Sequence, residues 1–418
     1  MKLRFLLIVA IFCLSGMGVI AQDCDKNHRP IILIHGFLGA GDNYSLMLQK
    51  LFEAGYCPDR CFVYDWNSME RVSQNPTLDR FVDSILKITG ALQVDLAGHS
   101  AGGGVSYAYL NDTLRMKKVA HYVHIGSSPN KSPAGVEGKV PNLNIYSTAD
   151  RVVKGGDIPG AVNLRFTNYD HFETVTADSV AMAIYEFLNP GKKFKAQKII
   201  VLPDEFLVKG RVITLGQNKA MAGAKLLVKK IDSDGTPGKQ IAELTTGTDG
   251  SFQLNGIEPY QPYFVYCYPT AGRPMIYYFS KINPNEPLLY LRVLPFEGMV
   301  SMMLGNLPAD SNQTVFALFS NKRAIQYGRD ELYVNGNMLS TEAFADPGKT
   351  AISWFLYDGN GNKESDFGLI APLSNFPFMR AIDVWLPAGS KSTQFDFNGN
   401  SFKVPSIPAS EAIIVVVL

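Results

Sequence analysis

The segment Gly98-His99-Ser100-Ala101-Gly102 sets one serine between two glycines, directly after the apolar run Val94 to Ala97 and before a helical pattern reaching Leu110. A serine in a sharp strand-to-helix turn lifts its hydroxyl off the end of a sheet. Glycine two residues to either side removes Cβ atoms that would meet neighbouring backbone. A helix beginning at Ala101 aims its first amides at the place where negative charge would develop. The chemistry such a turn supports is attack of the serine oxygen on a carbonyl carbon, with a covalent acyl intermediate.

A serine hydroxyl is a poor nucleophile at neutral pH and needs a base in hydrogen-bond reach, with an acid to orient that base. Of the six histidines, His28 precedes the first strand, His35 and His99 belong to the loops around the serine, and His121 and His124 fall on a buried strand pattern. His171 remains, in Asn168-Tyr-Asp-His-Phe, between the last strand and last helix of the first half. The acid is expected between serine and histidine at a strand end, where Asp150 stands. Asp157, beside glycines and Pro159, competes with it, and Asp170 adjoins the histidine too closely for easy side-chain geometry. The order serine, acid, histidine is one that strand-turn-helix nucleophiles use.

A second loop, His35-Gly36-Phe37, follows the first strand Ile31 to His35. Backbone amides of Phe37 and Ala101 are the candidate oxyanion donors. The alternative of a phosphate cradle is disfavoured, because Gly36, Gly39 and Gly41 do not follow the dinucleotide spacing and no Gly-Lys-Ser/Thr follows.

These residues need a scaffold. From Pro30 to about Leu188 short apolar runs (Cys61 to Asp65, Val94 to Ala97, Val119 to Ile125, Leu143 to Tyr146, Val162 to Phe166) alternate with amphipathic stretches (Tyr44 to Ala54, Thr77 to Thr89, Ala177 to Leu188). The pattern predicts an α/β class, a doubly wound parallel sheet covered by helices. Beyond the basic stretch Lys192 to Lys198, short β-rich runs punctuated by Gly, Pro, Asn and Asp replace it, with no convincing helix, predicting all-β sandwich-like structure. The expected divisions are 1–21 a signal peptide, 22–191 the catalytic domain, 192–205 a linker, 206–293 a small transthyretin-like β-sandwich and 294–418 a second β-rich unit.

At 418 residues and 46% hydrophobic content the chain can fill more than one core. Its 39 basic and 38 acidic side chains leave a net charge of +1, so no long-range field favours nucleic acid or anionic membrane. Lys2 and Arg4 ahead of the apolar run Phe5 to Leu14, with small Ala21 after it, read as a secretory signal, and no membrane span is expected after its removal. Secretion, or a periplasmic location, follows as an expectation. Removal leaves Cys24, Cys57, Cys61 and Cys267. A local Cys57–Cys61 bridge is favoured, with Cys24 pairing to either as the rival. No metal-ligand spacing and no cofactor motif stands out, and no calcium-type carboxylate cluster is evident. The sequons at Asn111, Asn130 and Asn312 matter only in a glycosylating host.

Together, Ile31-Leu-Ile-His-Gly-Phe-Leu-Gly, Cys61-Phe-Val-Tyr-Asp-Trp, Val94-Asp-Leu-Ala-Gly-His-Ser-Ala-Gly-Gly-Gly and Ile145-Tyr-Ser-Thr-Ala-Asp-Arg-Val-Val resemble the small bacterial and archaeal lipases of the class 2 lipase group, within the α/β-hydrolase superfamily. The resemblance covers roughly Arg29 to Leu188. It implies lipase or esterase activity on acyl esters, with Ser100, Asp150 and His171 at that family's catalytic positions. A β-rich half after such a domain also resembles a long-chain archaeal lipase type. Two departures stand out. Ala101 replaces a usual Met, and the short stretch between Ile125 and Leu143 leaves no room for a large helical lid, so an open site is expected.

Leu38, Trp66, Val153 and Phe172 are candidates for an acyl or alcohol pocket. The competing class of answer is a glycan- or surface-binding protein whose β modules carry the function, with Tyr260, Tyr263, Tyr277 and Tyr278 as a stacking face. In that reading the first domain is inactive or specialised for polyester, feruloyl or acetyl-sugar esters.

Overall fold

The computed structural model describes residues 24–196, 205–283, 287–371, 373–389 and 392–418. The expected signal peptide and the centre of the expected linker lie outside the described residues. Strands β1 (Ile31–Ile34), β2 (Cys61–Tyr64), β3 (Val94–His99), β4 (Val119–Ile125), β5 (Asn142–Ser147) and β6 (Val162–Phe166) form one sheet in the order β2-β1-β3-β4-β5-β6. Every pairing in it is parallel. Parallel strands are covered on both faces, which is why β1, β3 and β5 are buried along their whole length.

The helices are α1 (Ser45–Glu53), α2 (Asn75–Thr89), α3 (Ala101–Leu110), α4 (Thr113–Met116), α5 (Glu173–Thr176) and α6 (Asp178–Leu188). On one face, Leu48, Leu51, Val180 and Ile184 of α1 and α6 pack with Leu33, Ala97 and Val123. On the other, Leu78, Phe81, Val82 and Ile85 of α2 join Ile32, Ile34 and Leu96. Their spacing of three and four residues makes a single apolar stripe, and each fully buried side chain of this size contributes roughly 1.5–3 kcal/mol. Pro76 fits the first turn of α2, and Gly90 ends the helix at φ 67°, where a side chain would be strained.

The disulfide joins Cys24 to Cys57, not Cys57 to Cys61. Pro58–Arg60 makes a tight 3-10 turn, after which Cys61 opens β2 opposite Ile31 and its thiol turns into the core shared with α1 and α6. Cys61 is thus consumed by packing, and Cys267 is likewise free and buried.

The second half comprises β7 (Phe206–Thr214), β8 (Lys225–Ile231), β9 (Pro237–Thr245), β10 (Ser251–Ile257), β11 (Tyr263–Tyr268), β12 (Met275–Phe279) and β13 (Leu289–Val293). After these come α7 (Gly298–Leu304), β14 (Phe316–Phe319), β15 (Leu332–Val334), β16 (Asn337–Met338), β17 (Ser353–Tyr357), β18 (Met379–Asp383), β19 (Thr393–Phe397), β20 (Asn400–Val404) and β21 (Ile413–Val417). Helix α7 was not expected. Its seven residues are too few to show a helical period in the sequence.

The expected divide at 293/294 runs through one sheet. The eight-stranded order is β18-β17-β14-β21-β12-β11-β8-β9, and β21, the closing apolar run, pairs in parallel with both β14 and β12. Smaller sheets, β10-β7-β13 and β16-β15-β19-β20, pack beside it. Leu38, from the loop after β1, is buried in the same core as Val212, Val265 and Leu291, so the β-rich half grips the first domain.

Candidate active site

Ser100 sits between β3 and α3 at φ 53°, ψ −122°, a left-handed conformation that costs on the order of 1–3 kcal/mol for a residue with a side chain. The turn can be this tight because of its neighbours. A Cβ on Gly102 would stand 2.2 Å from the Ile34 carbonyl oxygen of β1, and one on Gly98 would stand 2.5 Å from the Gly102 oxygen. The Ser100 amide is anchored on Ile125 O at 2.9 Å.

His171 lies after β6, its ring buried. Its Nδ1 is 2.7 Å from Asp150 Oδ2, while its Nε2 is buried with no partner among the described residues. Asp150 follows β5, and its other oxygen accepts the amides of Val152 at 2.8 Å and Val153 at 3.0 Å. Burial pushes this carboxyl up, but the His171 bond and charge and the two amides outweigh it and hold the pKa below the usual value. A carboxylate fixed as the anion makes Nδ1 the protonated nitrogen, leaving Nε2 free to take a proton. Ser100 and His171 line the same cavity. Asp157 is engaged elsewhere, accepting from Tyr146 Oη at 2.7 Å. Asp170 caps the turn after it through the amides of Phe172 and Glu173.

His99, next to the serine, supports the base. Its Nε2 meets the His171 carbonyl at 3.1 Å and must therefore be the protonated nitrogen, and Thr174 Oγ1 donates to the same carbonyl at 2.7 Å. Burial, with repulsion from His171, brings the His99 pKa down to about 3. His35 and His124 are likewise brought down to about 4, mainly by burial. Unfolded histidine titrates near 6.5, so between that pH and the depressed values the unfolded chain binds more protons than the folded one, and stability falls as pH falls. The expected loss is up to about 1.4 kcal/mol per pH unit for each histidine. Urea unfolding midpoints measured from pH 7 to pH 4.5 should fall steeply, and His124→Gln should flatten the slope. A flat profile would contradict the buried neutral state.

Gly36 brings the first loop against the nucleophile, since a Cβ there would lie 2.8 Å from Ser100 Cβ. Leu38 N donates to Ser68 Oγ and Gly39 N to Gly36 O. The Phe37 amide has no acceptor among the described residues. Ala101 opens α3, where amides have no partner within the helix. Both candidate oxyanion residues lie at the surface.

Of the four pocket candidates, Leu38 and Phe172 line the cavity and Trp66 and Val153 do not. Trp66 is buried behind the loop, its ring stacked on His35 and its Nε1 donating to His35 O at 2.9 Å. Val153 contributes its amide to Asp150. Both had looked available because apolar residues near a motif can equally be core.

The β-rich half supplies what the first half could not show. Asn218, itself at φ 55°, places its Nδ2 within 3.0 Å of His35 Nε2 and 2.9 Å of both Gly39 O and Trp66 O, clamping the loop that carries Phe37. Because His35 Nε2 accepts here and from Trp66 N, its Nδ1 carries the proton and donates to Gly36 O at 2.8 Å. Arg292 pairs with Asp42 of the same loop, and Arg211 and Tyr290 hold Asp65.

The histidine loop is held similarly. Asp170 accepts from Ala324 N at 2.9 Å and pairs with Arg329, which also reaches Glu173. Phe378 stacks on His171 with ring centroids 5.9 Å apart. No helical lid stands between β4 and β5. The β-rich half forms the facing wall of a cavity of about 1710 Å³, with Phe319, Phe378 and Met379 among its lining residues.

Asn218→Ala would leave buried acceptors of the loop short of a donor, at about 1–3 kcal/mol per group. The expected result is a several-fold lower kcat with KM little changed, measured on any ester the protein turns over. Unchanged kcat would show the clamp to be idle.

Residues 29–154 match the alpha/beta hydrolase fold family. Among solved structures the chain is similar to a mature lipase from Bacillus licheniformis (14% identity, 39% of this chain and 93% of that one, TM-score 0.32). It is also similar to carboxylesterase CesB from Bacillus subtilis (12%, 41% and 87%, TM-score 0.32) and to a bromoperoxidase from Bacillus anthracis (17%, 38% and 91%, TM-score 0.30). Among the described residues no helix is long and apolar enough to cross a membrane. The parallel six-stranded sheet, its covering helices and the family match identify the first half of this chain as an α/β-hydrolase fold, continued by β-rich sheets.

Proposed function

We propose that this protein is a secreted or periplasmic serine hydrolase of carboxylic esters, of the lipase or esterase kind, working through Ser100, His171 and Asp150. The observation that carries this reading is the Asp150–His171 pair, with a buried unpartnered Nε2 in the cavity that Ser100 lines. His171 Nε2 takes the Ser100 proton as Oγ attacks the ester carbonyl, and the amides of Phe37 and Ala101 hold the resulting oxyanion. Each such donor lowers the barrier by about 3 kcal/mol. The proton then passes from His171 to the departing alkoxide. Water, activated by the same nitrogen, releases the acid and frees the serine. Asp150 stabilises the imidazolium without accepting its proton.

The Cys24–Cys57 disulfide supports an oxidising compartment. Because the β-rich half walls the cavity, an ester with a bulky acyl or alcohol part, as in a polyester, feruloyl or acetyl-sugar ester, is the second substrate reading. Hydrolysis of p-nitrophenyl esters from short to long acyl chains tests the proposal. Turnover that vanishes in Ser100→Ala is expected, with the chain-length optimum separating esterase from lipase. Absence of turnover at every length would count against the simple-ester reading.

A further inference from the structure

Two rings border the imidazole of His171. His99, with its ring centroid 4.7 Å away, is buried and spends its Nε2 on the His171 carbonyl. Phe378, 5.9 Å away and inclined by 22°, comes from the β-rich half and lines the cavity. It is half-buried, and among the described residues it is packed into none of the apolar cores. Its ring is therefore not needed to fill the interior.

Phe378 also holds φ at 68°, in the left-handed region that a bulky side chain rarely enters. The chain around it imposes that turn. Phe376 N closes the tight turn Leu373–Asn375 on Leu373 O at 3.0 Å, and Phe378 O accepts the amides of Ile352 at 3.0 Å and Ser353 at 2.9 Å. Strand β18 begins at the next residue, Met379, which pairs with Ser353 of β17, and Ser353 pairs with Phe319 of β14. Phe319, Ser353 and Met379 thus form one row across three strands. Neighbouring side chains of an extended chain alternate faces, so a regular Phe378 would turn away from that row. The left-handed turn breaks the alternation, and all four residues line the cavity.

Ester cleavage through His171 gives this wall a role. The imidazole hands its proton to the departing alkoxide, so the alcohol oxygen must come within hydrogen-bond reach of Nε2. Whatever that oxygen carries lies along the surface bordering the imidazole, while the acyl part stays on Ser100. We propose that Phe378 is a specificity-determining residue for the alcohol part of the substrate, and that the protein prefers esters of alcohols bearing an aromatic ring. This rests on the ester-hydrolase reading above. An aromatic ring packed offset or edge-on against phenylalanine gains about two- to tenfold beyond its buried area, and the Met379 thioether is a further favourable neighbour for a ring.

The test compares kcat/KM of the full chain on benzyl, cyclohexylmethyl and ethyl butyrates, whose alcohols are of similar acidity, and on ethyl hexanoate. Wild-type protein should favour benzyl over both other alcohols. Phe378→Leu should lower the benzyl-to-ethyl ratio about two- to tenfold and leave the butyrate-to-hexanoate ratio unchanged, and Phe378→Tyr should keep both. Each ratio is measured on one preparation and so does not depend on how much of a variant is folded, and the benzyl-to-cyclohexylmethyl comparison needs no variant. A wild type indifferent to the ring, an unchanged benzyl-to-ethyl ratio in Phe378→Leu, or an equal shift in the acyl ratio would overturn the proposal while leaving the ester-hydrolase reading in place. No turnover of any of the four esters by the wild type would overturn both.

Discussion

Ser100→Ala is expected to lower kcat for ester hydrolysis by about 10⁶-fold, the loss known when a serine nucleophile acting with a histidine base is removed. The fold should be unaffected. Alanine keeps the backbone that donates Ala101 N and removes only an oxygen, so the unfolding midpoint should move little. A modest residual rate would persist from the oxyanion amides and the cavity. Steady-state kinetics and urea unfolding on the same preparation check both halves. A variant retaining more than about a hundredth of the activity would place the nucleophile elsewhere.

Asp150→Asn is expected to cost about 10⁴-fold in kcat. The argument rests on which nitrogen of His171 carries the proton. As an anion with its other oxygen held by the amides of Val152 and Val153, Asp150 accepts from Nδ1 and leaves Nε2 basic. The asparagine amide, with its oxygen on those same two amides, turns its NH2 toward Nδ1 and favours the opposite tautomer, with the proton on Nε2 facing the serine. The loss should shrink as pH rises, once hydroxide can replace the base. An acid-sensitive profile in the wild-type enzyme that shifts by more than a pH unit in Asp150→Asn would fit this account. Unchanged activity would contradict it.

What the sequence revealed follows from which interactions are local. The elbow at Ser100 was legible because Gly98 and Gly102 stand at fixed spacing around the serine in one strand-to-helix turn, and the six-stranded sheet because each strand is a short apolar run between helical stripes. The position of Asp150 came from chain order. Asn218, Arg329 and Phe378 carried no such signal. An asparagine in a β turn and an arginine between loops have ordinary local explanations, and their contacts with His35, Asp170 and His171 exist only after the two halves dock. The disulfide failed for the same reason. Spacing favoured Cys57–Cys61, but the core claimed Cys61 and left Cys24, brought near by the fold, as the partner. Strands from both sides of 293/294 share the largest sheet because β21, last in sequence, inserts in its middle, which no linear pattern discloses.

Covalent trapping tests the central claim most directly. The protein would be treated with a p-nitrophenyl alkylphosphonate, whose phosphorus is attacked as an ester carbonyl would be, and analysed by intact and peptide mass spectrometry. The account predicts one adduct per chain, on the peptide carrying Ser100, slowed strongly in Asp150→Asn and absent in Ser100→Ala. An adduct on another residue, or none under conditions where the ester substrate is turned over, would contradict it.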